Sequence, residues 1–225
     1  MARFAHRMRG AVAPLQLLMN DSSALYSFAS TTSNPLVYSP TLNVGPANPH
    51  KHVLIFSGCR HTGDRDITDV QVDGVQAVQI AESEGTNTYS GGIWIAHTPT
   101  SAGNIVADIT RDSAPYNAFA YALMFEARSG YVVRQSTVFS GVNTGRTVSL
   151  NVSAGGLMIG GTSTSNNWSV PTYTPMSILH SNGFDGVDES IAATEYPDGY
   201  TGTAPISQAT VDAYNLFFLS LRPGP

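Results

Sequence analysis

The sequence predicts an all-β protein: a single antiparallel β-sandwich (jelly-roll or Ig-like) preceded by an N-terminal arm. Three observations predict it. Ser and Thr number 24 and 21, beside 21 Gly and 13 Pro, a bias toward strands and turns. Helical periodicity is nearly absent, and short apolar or alternating runs recur roughly every 8 to 15 residues, each closed by a turn cluster. Asp73-Gly74, set between Val72 and Val75, is the two-residue hairpin loop that needs positive φ at both positions.

Taken in order, the strands expected are 24–29, 52–57, 69–73, 75–82, 91–97 and 104–110, then 118–127, 131–139, 147–152, 156–163, 190–196 and 214–221. PANPH (46–50) forces an extended approach to HVLIFS. Around Asp69 the alternation fails: Val70 and Val72 share a face and Ile67 falls out of step, so a bulge or two covered faces is expected there. AFAYALMFEA is long enough for a helix, but its aromatic content and its neighbours favour a buried strand. One short helical turn is allowed at 207–214, and 164–188 reads as a loop-rich rim. No internal repeat of fixed period is visible. The organisation expected is an arm over 1–20 and one sandwich domain over 21–225.

Composition narrows the function. The 225 residues are 42% apolar and only 12% charged. Such a surface suits a protein that buries much of itself against partners. Net charge is −5; residues 1–20 hold Arg3, Arg7 and Arg9 and no acid, which leaves −8 on the remainder. A body that negative argues against non-specific nucleic-acid binding. No apolar run reaches membrane-spanning length, and AVAPLQLLM (11–19) is too short and too broken for a secretory signal. Cys59 is the only cysteine, which excludes an internal disulfide and a cysteine-rich zinc site.

Several constellations invite chemistry. SGCRHTGDRDITDV (57–70) gathers Cys59, His61, Asp64 and Asp66, a metal or nucleophile–base pattern by residue type. It joins a strand to its hairpin, and a solvated connection is the expectation. Asp185, Asp188 and Glu189 lie near glycines without the ligand order of an EF-hand. His50 and His52 form an HxH pair with no third ligand nearby, and HExxH is absent. Trp94, between two isoleucines, reads as core. Trp168 and Tyr173 are the candidates for a solvent-facing aromatic platform. No catalytic, cofactor-binding or metal-ligating residue is assigned, and no cofactor is expected.

The run from 50 to 110 resembles a β-sandwich structural module of tailed-bacteriophage virion proteins. The resemblance is carried by an apolar strand ending in Gly (Val53 to Gly58) and by I–x–x–V–x–V–x–G–V–x–A (Ile67 to Ala77). I–W–x–A (Ile93 to Ala96) and P–x–x–x–G–x–I–V (Pro99 to Val106) complete it. The likeness extends over about residues 20 to 222. It implies a non-enzymatic virion component, a tail fibre or baseplate appendage at the particle surface. A capsid decoration protein and a carbohydrate-binding module are the alternatives. The partners implied are other virion proteins and copies of itself, with a host-surface glycan as a further candidate, and neither nucleic acid nor membrane. In this reading the arm docks on a neighbouring subunit through Leu15, Leu17, Leu18 and Met19.

Overall fold

The computed structural model describes residues 12–22, 26–27, 35–60, 66–86, 89–112, 117–142, 146–164, 172–173, 176–184, 187–207 and 213–225. Every regular element among them is a strand. The first half supplies β1 (Gln16–Ser22), β2 (Tyr26–Ser27), β3 (Leu36–Tyr38), β4 (Thr41–Asn43), β5 (Lys51–Arg60), β6 (Ile67–Val72), β7 (Val75–Gln76), β8 (Val78–Thr86), β9 (Tyr89–His97), β10 (Asn104–Arg111) and β11 (Asn117–Glu126). The second half supplies β12 (Tyr131–Val142), β13 (Arg146–Val152), β14 (Gly156–Thr164), β15 (Thr172–Tyr173), β16 (Ser177–Phe184), β17 (Val187–Tyr196), β18 (Tyr200–Ser207) and β19 (Ala213–Pro223). Pairing among them is antiparallel throughout. Among the described residues no helix is long and apolar enough to cross a membrane.

The strands form four sheets. Sheet I runs β3-β10-β6-β7, with β4 also on β10. Sheet II runs β1-β11-β5-β9-β8, with β2 also on β11. Sheet III runs β12-β19-β14-β17-β16, and sheet IV runs β13-β18-β15. Three buried layers separate them. Val53, Ile55, Val70, Val72 and Trp94 fill the space between I and II. Leu54, Phe56, Phe125, Ile159 and Phe217 fill that between II and III. Met158, Tyr173, Phe218 and Val152 fill that between III and IV.

The expectation of a single two-layer sandwich is therefore corrected to a stack of four layers. The reason is visible in the strands. In β5, Val53 and Ile55 face one core while Leu54 and Phe56 face another, so the strand is apolar on both sides. A two-layer sandwich would leave one of those faces in water. β10, in an outer sheet, alternates exposed and buried positions as a one-sided strand should. The irregularity at Asp69 is a bulge: Asp69 pairs with Thr110 and Ile67 with Arg111, which returns Ile67 to the buried side with Val70 and Val72. Asp73 and Gly74 have φ of 52° and 72°, the expected hairpin turn.

The two halves also follow one path. Sheet II's order β1-β11-β5-β9-β8 matches sheet III's β12-β19-β14-β17-β16, and β3-β10-β6 matches β13-β18-β15. Register makes the match close. In β1, Leu18 is skipped between the pairs Leu17–Phe125 and Met19–Met124; in β12, Arg134 is skipped between Val133–Leu221 and Gln135–Ser220. In β8, Ile80 is skipped between Gln79–Trp94 and Ala81–Ile93; in β16, Leu179 is skipped between Ile178–Ala192 and His180–Ile191. β1, β8, β12 and β16 thus each carry a bulge at an edge of an inner sheet, and these bulges fall at matching places. Bulged edges resist pairing with another sheet. The halves meet mainly where β12 lies against β8 and β19 against β9, and to a smaller extent where β17 approaches β1.

This repeat has no fixed period. β1 and β12 begin at residues 16 and 131, β5 and β14 at 51 and 156, and β10 and β18 at 104 and 200, so the offset shrinks along the chain. Core volumes are exchanged as well. The registers align Trp94 with Ala192 and Ala122 with Phe218, so the large side chain sits on β9 in one half and on β19 in the other. Residue identity is not kept, and the position between them differs too, Ile55 on β5 matching Gly160 on β14.

The described part of the arm expected over 1–20, residues 12–20, runs into sheet. Residues 16–22 form β1, the edge of sheet II. Leu15 is buried between sheets II and III and its N–H donates to the Gly155 carbonyl (2.8 Å). Leu17 packs against the same core, and its N–H donates to the Glu195 carboxylate (2.5 Å). Met19 packs under sheet I. Of the four expected anchors only Leu18 stands out into solvent, at 41% exposure. Burial of three of them within their own body is the physical reason they are not a free arm.

Candidate functional site

A groove of about 590 Å³ lies where β1, the β4–β5 connection and the β11–β12 turn meet. Its apolar walls are Leu18, Met19, Val44, Pro46, Ala47 and Pro49, and its polar rim is Asn48, His50, Glu126 and Arg128. The volume falls within the range of small-ligand and side-chain pockets.

Lys51 ties down the Val44–Pro46 wall. It is the chain's only lysine and is fully buried. Its Nζ donates to the carbonyls of Val44 (3.1 Å), Pro46 (2.9 Å) and Ser101 (2.6 Å), so one ammonium ties the β4–β5 and β9–β10 connections together. Three acceptors satisfy its three donors, the condition under which a buried ammonium is tolerated. The rim is fixed in a similar way. Glu126, at the end of β11, accepts from Arg128 Nε and from Asn48 Nδ2 (3.0 Å), which together hold its carboxyl below the usual range. Asn48 Oδ1 accepts from the His50 N–H (2.9 Å), closing a turn that Pro46 and Pro49 flank.

Beside the groove His52 and His97 face each other across β5 and β9. Their rings stack at 4.6 Å and 22°, and His52 also stacks on Phe125 (5.3 Å) and meets the edge of Tyr131 (4.9 Å). His52 Nδ1 lies 3.1 Å from the His50 carbonyl and His97 Nε2 lies 3.1 Å from that of Pro49, which assigns those nitrogens as donors. Burial lowers the His52 pKa to about 4. His52 of the HxH pair is thus engaged with His97, Phe125 and Tyr131, and the His52 and His97 rings do not converge on an ion. Lone pairs lie in the ring planes, and nearly parallel stacked rings aim them past one another. Among the described residues no group of three or more His, Cys, Asp or Glu side chains is placed to hold a metal.

The stretch 57–70 is divided. Cys59 lies on β5, opposite Ala118 and Ser90, while His61 and Asp64 fall outside the described residues and Asp66 is exposed. What the structure gathers at this end of the first half is Arg111, fully buried, donating to Ser57 Oγ (3.2 Å) and Ser90 Oγ (3.5 Å). Glu82 is nearby, its carboxyl pushed up chiefly by burial and partly offset by the Ile67 N–H it accepts. Arg111 closes β10 at the bulge, and the failed alternation at Ile67 was the sequence signal that pointed there.

Trp168 and Asp185 lie outside the described residues, and Asp188 and Glu189 are placed on β17. Tyr173 corrects the expectation of an exposed platform. It is 2% exposed, and its hydroxyl sits with those of Thr162 (2.9 Å) and Ser190 between sheets III and IV. Burial pushes its pKa up. A ring sealed in a core offers no face to a sugar. Trp94 is core, as its two isoleucine neighbours indicate.

Comparison with protein-family models, with curated proteins and with solved structures found no match to this chain.

Proposed function

We propose that this chain is a non-enzymatic structural component of a tailed-phage particle, a tail fibre or baseplate appendage built to be packed against other chains. Each half follows the path of a jelly roll, with β1-β11-β5-β9 over β3-β10-β6-β7 and β12-β19-β14-β17 over β13-β18-β15. The supporting observation is the chemistry of the two outer faces. Sheet I presents Val37, Ser39, Thr41, Asn43 and Val106 to solvent, and sheet IV presents Ser149, Asn151 and Thr201. Asp69 and Asp108 on sheet I accept hydrogen bonds from Gln76 (2.7 Å) and Ser39 (2.6 Å). Short, uncharged side chains lose little entropy and need no charge desolvation when covered, which favours burial against a partner.

The capsid-decoration reading draws on one further observation: such faces stand at opposite ends of the stack, the geometry of a bridge between two neighbours. Mass spectrometry of purified particles tests the class, with the chain expected at a fixed ratio to the major virion proteins. Infectious particles free of it would overturn the proposal. Removing the gene separates the two readings: poor adsorption by intact particles marks an appendage, and fragile capsids mark decoration.

A further inference from the structure

We propose that the groove walled by Leu18, Pro46 and Pro49 takes the N-terminal segment, residues 1–11, of a second copy of this chain. The inference deepens the assembly reading by naming a contact and its partner.

Internal comparison is the first argument. Leu18 and Arg134 occupy matching bulges in β1 and β12. At one the edge is blunted by an exposed charge, the usual device. At the other a leucine is left 41% exposed at the lip of an apolar groove. Glu126 and Arg222 likewise match, through the registers of β11 and β19. The hollow beside Arg222, of about 210 Å³, is smaller and has Val12 as part of its wall, with Ala154 and Pro225. Thus the second half's hollow already has the chain's own N-terminal lead-in against it, and among the described residues the first half's is open.

The second argument is where the lead-in goes. Traced backwards from Met19 in the groove, the chain passes Leu15 beside Gly155 and reaches Val12 beside Ala154 in the second half. It is heading away from its own groove. Eleven further residues span at most roughly 36–40 Å when extended, enough to reach an adjoining copy. Their chemistry suits the site. Met1, Phe4 and Met8 are apolar, while Arg3, Arg7 and Arg9 give +3 against a remainder of −8, which favours a trans encounter electrostatically.

The test uses four chains: the full chain, a chain lacking residues 2–11, and Leu18→Arg in each. Arg is the residue that stands at the matching bulge, so the substitution is expected to leave thermal unfolding unchanged. By sedimentation the full chain should self-associate, and either the deletion or Leu18→Arg should weaken association about tenfold or more. A synthetic peptide of residues 1–11 should bind the deleted chain, and its affinity should fall by a similar factor when Leu18 is also Arg. Peptide binding that ignores Leu18→Arg, or no peptide binding, overturns the proposal, as does a full chain that stays monomeric. If self-association survives the deletion, the groove assignment fails while the assembly reading stands.

Discussion

The two halves of the molecule share strand order and bulge positions yet fill their cores in opposite ways. Residues 16–126 put the large side chain on β9, where Trp94 lies against Gly92 and shares its core with Ala118, Ala120 and Ala122. Residues 131–223 put it on β19, where Phe218 lies against Gly160 and shares its core with Ala192. The difference teaches that path and register here are held by where strands bulge and by which faces are apolar, while the volume at a given position is free to change.

The largest effect should come from undoing that exchange. Trp94→Ala is expected to cost about 3–5 kcal/mol of stability, read by urea denaturation, because the cavity left under β9 cannot close. Adding Ala122→Phe moves the large side chain to the strand that carries it in the second half and should recover part of the loss. A double variant no more stable than Trp94→Ala would show that the exchange is coincidental.

A smaller effect separates the halves by their polar fastenings. Lys51→Met leaves the Val44, Pro46 and Ser101 carbonyls without their common donor, at a cost of about 1–3 kcal/mol. Hydrogen exchange should rise in the β4–β5 and β9–β10 connections and not in the second half. Uniform loosening would count against a local clamp.

A third effect is a pH slope at the seam. His52 aligns with Leu157, since His52 pairs with Phe125 and Leu157 with Leu221. Its folded pKa of about 4 lies below the ordinary 6.5, so in that interval the unfolded chain binds the extra proton. Stability should therefore decline as pH falls from 6.5 toward 4 and level off below. His52→Leu, which copies the matching residue, should remove that part of the slope and change little at pH 7. A slope unaltered by the substitution would assign it to other groups.

Much of this architecture was legible in residue order. Val53 to Phe56 and Ala118 to Phe125 read as strands because they are apolar and bounded by turns, and Asp73-Gly74 marked its hairpin by chemistry alone. The number of layers was not legible in the same way. A continuous apolar run says that both faces are covered and leaves open by what. The duplication was hidden because Trp94 answers to Ala192 and His52 to Leu157, and because unequal connections erase any constant spacing. Strands β16 and β18 escaped notice since SILHSNGF and YTGTAPIS carry too few apolar residues to alternate clearly. At the site, Pro46 and Pro49 foretold an extended connection, but nothing local in sequence brings Glu126 and Arg128 across to meet it.

Lys51 has a consequence outside the fold. A folded chain whose sole lysine is enclosed gives an amine-acylating reagent no side-chain target until the first half opens. The rate at which Lys51 becomes acylated would then clock that opening directly, with no engineered probe and no dye.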